Sequence, residues 1–182
     1  MQTNNFIISG LGGQGILFLT KILAKTALHK GFNVMGAETH GMAQRGGSVI
    51  SHLRLGNVES SLIKPGSAHF LLALEENEAY RNLPFLAEGG VLCSSRSAKA
   101  FPDPSVESYM KEKNIACYSI EAGRIALEQN APMSTNLALM GYFSTLDKCP
   151  FTLHELRETI ENVSPDVYKE VNLAVFDRGA QV

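Results

Sequence analysis

Apolar residues recur along this chain in two rhythms: short runs that suit buried strands, and longer stretches with a helical repeat. Phe6-Ile7-Ile8 is the first run, and Ser9 leads from it into Gly10-Leu11-Gly12-Gly13-Gln14-Gly15. Ile16, Leu19, Leu23 and Ala27 then share one face of a helix, with Lys21, Lys25 and His29 on another and Gly31 as its stop. Asn33 to Glu38 reads as a second strand. Ser48 to Leu55 alternates, with Val49, Leu53 and Leu55 on one side and Ser48, His52 and Arg54 on the other. That pattern predicts a strand with one wetter face and a half-exposed His52.

Lys64-Pro65-Gly66 marks a turn, and the continuous apolar run from His69 to Leu74 predicts a buried strand. Glu75, Glu76 and Glu78 open the next helix, where acidic groups complement the helix dipole, so capping accounts for them without catalysis. Gly89-Gly90 is expected to break the chain before a strand from Val91 to Ser94. Pro102-Asp103-Pro104 starts a helix that runs through Lys113. Ile115 to Ile120 is another strand, and Glu121 to Gln129 a helix packed through Ile125 and Leu127. Such alternation predicts an α/β fold: a Rossmann-like three-layer domain with a mainly parallel sheet and helices on both faces.

From Asn136 onward the pattern is helical. Leu137, Leu139, Met140, Phe143 and Leu146 make a helix apolar nearly all round, which must be buried in the domain or covered by a partner. Thr152 with Glu155 forms a capping box, and Ser164-Pro165 supplies an N-cap and first-turn proline for the last helix. In that helix Tyr168, Val171, Val175 and Phe176 recur at helical spacing, as core residues do. No repeat or linker divides the chain, so residues 1–182 read as one domain with a helical C-terminus.

Charge and cysteine usage narrow the function. Sixteen basic residues against 18 acidic ones leave no electrostatic footprint for nucleic acid. No apolar run approaches the roughly 18 residues of a membrane helix, and the first residues lack the marks of a signal peptide. The expectation is a cytoplasmic protein. Cys93, Cys117 and Cys149 lie far apart in sequence, without the close pairing of iron–sulfur or zinc sites, and the five histidines form no H-x-x-x-H pair. No metal ligand set and no catalytic dyad emerges.

Candidate chemistry gathers near the N-terminus. Gly10, Gly12 and Gly15 give the spacing G-x-G-x-x-G between a strand and a helix, with Gly13 and Gln14 inside the turn. This geometry directs bare amides and the positive end of a helix dipole at an anion. Glu38, at the end of the second strand, stands where a dinucleotide fold holds a ribose hydroxyl. The segment after it, Thr39-His40-Gly41-Met42-Ala43-Gln44-Arg45-Gly46-Gly47, fits no helix or strand, and its donors His40, Gln44 and Arg45 suit a loop facing a ligand or partner. On these residues alone, a stand-alone NAD-binding oxidoreductase and a ligand-sensing module both stay open.

Taken together, Gly10 to Gly15 and Glu38 to Val49 resemble the gamma-type subunit, or domain, of the 2-oxoacid:ferredoxin oxidoreductases. Leu72-Ala73-Leu74-Glu75, Gly89-Gly90-Val91, Asn136 to Gly141 and Asn172 to Phe176 are similar to later segments of the same family. Within it, His40 to Gly47 looks closest to the small (beta) subunit of indolepyruvate ferredoxin oxidoreductases. The resemblance implies a complex that decarboxylates a 2-oxoacid, with an arylpyruvate such as indolepyruvate favoured, to an acyl-coenzyme A. Such a complex uses thiamine diphosphate with Mg, and passes electrons through iron–sulfur clusters to ferredoxin. It also implies that this chain binds no cofactor firmly, closes one face of the active site beside its thiamine- and cluster-bearing partners, and helps position coenzyme A. The ligand- or partner-facing residues would be Gly10, Gly12, Gly13, Gln14, Gly15, Glu38, His40, Gly41, Met42, Gln44, Arg45, Gly46 and Gly47.

Overall fold

The computed structural model describes residues 3–41, 46–97 and 100–182. Strands β1 (Asn4–Leu11), β2 (Val34–His40), β3 (Ser48–Leu55), β4 (Ala68–Ala73), β5 (Leu86–Ser95) and β6 (Ala116–Ile120) form a six-stranded sheet in the order β2-β3-β1-β4-β5-β6. Strands β1, β4, β5 and β6 run parallel, while β3 is antiparallel to both of its neighbours, β1 and β2. The mainly parallel sheet is therefore as the pattern predicts, with a β2–β3 hairpin folded back against β1.

Alternation along β1 sorts the core into two layers. Phe6 and Ile8 face a large cluster with helices α1 (Ile16–His29), α4 (Ala122–Glu128), α5 (Thr135–Ser144), α6 (Leu153–Val163) and α7 (Asp166–Gly179). Ile7 faces a smaller one with α2 (Glu76–Asn82) and α3 (Pro104–Glu112). Phe6 stacks on Phe70 at 4.6 Å and meets Phe143 edge-on, so aromatic packing joins the sheet to α5. Helix α5, apolar all round, is buried from Asn136 to Gly141, and covered by this chain itself. Gly141 lies against the carbonyl of Phe176 and Gly179 against that of Ala138, an approach of α5 and α7 that a β-carbon at either position would prevent.

Several local expectations change: Leu127 is 63% exposed rather than packed, and β2 continues through Thr39 and His40. Gly89 and Gly90 do not interrupt the chain before a strand: β5 runs through them, with Gly89 at φ +73° and a register shift against β4, so they form a bulge. His52 is buried, because Phe85 and the backbone at Ile63 cover its face of the sheet. Ser164 closes α6, and Pro165 occupies the cap position of α7 without a side-chain bond, so that boundary is shifted by one residue. In α7, Val175 and Phe176 are core, whereas Tyr168 is 59% exposed.

Candidate functional site

The turn after β1 is shaped by close contacts that glycine alone permits. A β-carbon on Gly10 would stand 2.7 Å from Gln14 Oε1 and 3.1 Å from Leu74 Cβ. Gly13 adopts φ +101° with open space above it, and Gly15 caps α1 at φ +79°. Gln14 braces the turn from inside: its side-chain Oε1 accepts the backbone amide of Leu11 at 2.7 Å, and its backbone amide donates to the carbonyl of Leu11 at 3.1 Å. The amides of Gly13, Gly15 and Ile16 have no acceptor among the described residues, and they sit at the positive end of a 14-residue helix.

Hydrogen bonds bring the second candidate segment onto this turn. The Gly12 amide donates to the carbonyl of Gly47 at 2.9 Å, and the Gly46 amide to that of Gly12 at 3.4 Å. Gly41 donates to the carbonyl of Ser48 at 3.1 Å and closes the neck of the β2–β3 hairpin. Gly41, Gly46 and Gly47 thus join the glycine-rich turn at the carboxyl ends of β1 and β4, where α1 leaves to one face and α2 to the other. Open α/β sheets place ligand crevices at such a switch. Met42, Gln44 and Arg45 lie outside the described residues.

Glu38 and His40 are on the exposed edge strand, 3.6 Å from one another. Glu38 pairs with Ser51 of β3, and β3 in turn pairs with β1. Glu38 therefore stands two interstrand steps, roughly 10 Å, from the strand that carries the glycine-rich turn. The ribose-binding expectation assumes that β2 is β1's neighbour, and the inserted antiparallel strand removes that adjacency.

Two residues tie this region together without having stood out in the sequence. Asn136, at the start of α5, donates through Nδ2 to the carbonyl of Gly15 at 3.1 Å and accepts the amide of Leu137 through Oδ1. A lone amide side chain opening an otherwise apolar helix was the signal available. Glu78, within the acidic cluster of α2, has a side chain only 1% exposed. It accepts from Ser48 Oγ at 2.6 Å and from Arg81 Nη1 at 2.7 Å. Glu75 is the residue that caps α2, accepting the amide of Glu78 at 3.1 Å.

A neighbouring crevice of about 450 Å³ lies at the ends of β4, β5 and β6, lined by Glu75, Glu76, Arg96, Glu121 and Arg124 among others. Both of its arginines pair with Glu121, Arg124 at 2.7 Å and Arg96 at 3.3 Å, while Glu75 and Glu76 accept from the backbone amides of Glu78 and Ser97.

A family model described as pyruvate ferredoxin/flavodoxin oxidoreductase matches residues 5–182. The chain belongs to that family. Subunit IorB of the indolepyruvate oxidoreductase of Archaeoglobus fulgidus is 32% identical, over 96% of this chain and 92% of its own length. The IorB subunit of Methanothermobacter thermautotrophicus is 33% identical over 96% and 95%. The chain is a small, gamma-type subunit of the 2-oxoacid:ferredoxin oxidoreductases. Its fold also superimposes on part of the 2-oxoglutarate:ferredoxin oxidoreductase of Magnetococcus marinus, with a TM-score of 0.78 and 19% identity. That match covers all of this chain and 31% of the longer one.

The cofactors that this family implies can be tested against the residues present. Cys93 is in the larger core cluster, Cys149 packs against that cluster, and Cys117 packs against the smaller one on the opposite face of the sheet. Burial pushes the Cys117 thiol up to about 11 and that of Cys149 up to about 12, and drives Cys93 higher still. Thiols buried on both faces of the sheet, with no ligand group of three or more among the described residues, do not fit an iron–sulfur cluster. Among the described residues, no group of three or more His, Cys, Asp or Glu side chains could hold a metal ion. No described helix is long and apolar enough to cross a membrane.

Proposed function

We propose that this chain closes one face of the active site in an indolepyruvate-type 2-oxoacid:ferredoxin oxidoreductase and helps to position coenzyme A there. Thiamine diphosphate, Mg and the iron–sulfur clusters sit on partner subunits, which carry out the decarboxylation and pass electrons to ferredoxin. Together they act on an arylpyruvate. Support for the substrate type comes from the two IorB relatives, whose match spans nearly the whole of both chains. Support for coenzyme A comes from the Magnetococcus marinus enzyme of the same fold, solved with coenzyme A and succinyl-coenzyme A bound.

The observation that carries the reading is the junction of the two loops. The Gly12–Gly47 hydrogen bond makes one surface of the glycine-rich turn and the hairpin, at the sheet end where the amides of Gly13 and Gly15 are open. Those amides would take a phosphate oxygen of coenzyme A, and Arg45, His40 and Gln44 would add donors from the hairpin. Gly10 and Gln14 shape the turn, Gly41, Gly46 and Gly47 let the hairpin approach it, and Glu38 and Met42 would serve contact with the partner.

Co-expression with the larger subunit tests the reading. The expected result is a stable complex containing thiamine diphosphate and iron that turns over indolepyruvate only with coenzyme A present. In that complex Arg45→Ala raises the KM for coenzyme A while the isolated chain keeps its melting temperature. A chain that stays monomeric beside such subunits would overturn the proposal.

A further inference from the structure

Glu78 is buried beyond what its place in a helix requires. Glu75 already caps α2, so the dipole needs no second carboxylate there. Taking a carboxylate out of water costs several kcal/mol unless its oxygens are paired, and here each has its own partner. One is held by Arg81, which is itself 67% exposed, and the other by the hydroxyl of Ser48, thirty residues away in sequence.

Ser48 is the first residue of β3, and its carbonyl accepts the Gly41 amide that closes the hairpin neck. The next residue back, Gly47, accepts from Gly12. An unbroken line of contacts therefore runs from α2 through Glu78 and Ser48 to the hairpin neck, and from there to the glycine-rich turn. The carbonyl of Glu78 also lies 3.5 Å from Ser9 Oγ on β1. Helix α2 packs on β1 and β4, so the anchor at the far end of this line is fixed to the centre of the sheet.

We propose that Glu78 is a positioning residue, which acts through Ser48 to hold Gly41, Gly46 and Gly47 at the hairpin neck against the glycine-rich turn and so fixes the face that these glycines and the turn present together. The inference rests on the reading of those loops as the coenzyme A face, and the experiment keeps the two separable. Ser48→Ala removes the tether and leaves Glu78 paired with Arg81. Ser48→Thr restores a hydroxyl. Glu78→Gln keeps the shape and removes the charge.

Two readouts are needed: hydrogen exchange of the Gly12 and Gly41 amides in the isolated chain, and KM and kcat for coenzyme A in the assembled complex. In Ser48→Ala those amides exchange roughly tenfold faster, the loss of one charge-assisted hydrogen bond, while the Ile7 and Leu71 amides are unchanged. The KM for coenzyme A rises more than kcat falls, Glu78→Gln shifts both readouts the same way, and Ser48→Thr returns both towards the parent values. A merely structural role would lower the yield of active complex at constant KM. Unchanged exchange in Ser48→Ala overturns the tether whatever the loops bind. Faster exchange with an unchanged KM overturns the coenzyme A reading, and with it the role of Glu78 in turnover.

Discussion

The two ends of the parallel strands treat polar groups differently. At the amino end, a cavity of about 470 Å³ is lined by Asn5, Arg54, Glu59, Ser60, Lys64 and Ser67, among others. It matches the crevice at the carboxyl end in size, and its arginine and asparagine are spent on the chain itself. Arg54 donates to Asn5 Oδ1 at 3.1 Å and to the carbonyl of Ser60 at 2.9 Å, while Asn5 Nδ2 donates to the carbonyl of Ser67 at 2.9 Å. His69 Nδ1 accepts the amide of Asn5, and, deeper in the sheet, His52 Nδ1 accepts that of Ile63. At the carboxyl end, glycines hold the turn open, Gly13 and Gly15 keep their amides unengaged among the described residues, and a buried carboxylate holds the hairpin in place. Size alone does not separate the two ends. What separates them is the glycine-rich turn, whose backbone amides are left without acceptors among the described residues, whereas side chains at both ends largely satisfy one another.

The sharpest way to break this contrast is at Gly15. A side chain there would suffer a left-handed backbone and would also run into Asn136. Gly15→Ala is expected to lose about 3 kcal/mol in urea unfolding and to weaken assembly with the partner. At the other end, Arg54→Ala should cost about 1–2 kcal/mol and leave turnover of the assembled complex unchanged. Lost turnover at constant assembly would make the amino end functional and dissolve the comparison.

A smaller effect comes from the two histidines. Burial holds both rings below the ordinary value of 6.5, so the unfolded chain takes up protons first as the pH falls. The stability they supply is complete above about pH 6.5 and drains away below it, as the folded values are passed. The melting temperature is thus expected to fall on acidification below that point, and less steeply in a His52→Gln/His69→Gln variant. An equally steep fall in that variant would remove the histidines from the account. Smallest of all is the response of the thiols: with Cys117 at about 11 and Cys149 at about 12, the native protein should resist alkylation at neutral pH and react on unfolding. Rapid labelling of the native chain would contradict the buried placement.

Much of the fold was legible because it is local. The apolar run before Gly10, the all-round apolar helix from Asn136 and the Thr152–Glu155 box are set by neighbours within a few residues, and the structure has each of them. Strand order is not local. Nothing in the spacing of Glu38 says that Ser48–Leu55 inserts beside β1, so its position relative to the glycine-rich turn could not be read. His52 follows the same rule, since the residues that cover it, Phe85 and Ile63, come from later loops. Glu78 was hidden for a different reason. Three carboxylates opening a helix satisfy one local explanation, and only the partner thirty residues earlier separates the buried one from the two that serve the helix end and its neighbouring loop.

The measurement that tests the contrast most directly is hydrogen exchange of the chain alone and within the assembled oxidoreductase, with coenzyme A added in a third sample. Assembly and coenzyme A are expected to slow exchange at residues 10–18 and 40–48 and to leave residues 54–67 as they are in the free chain. Slowed exchange at residues 54–67, with the glycine-rich turn and hairpin unaffected, would contradict the account and move the functional face to the amino end of the sheet.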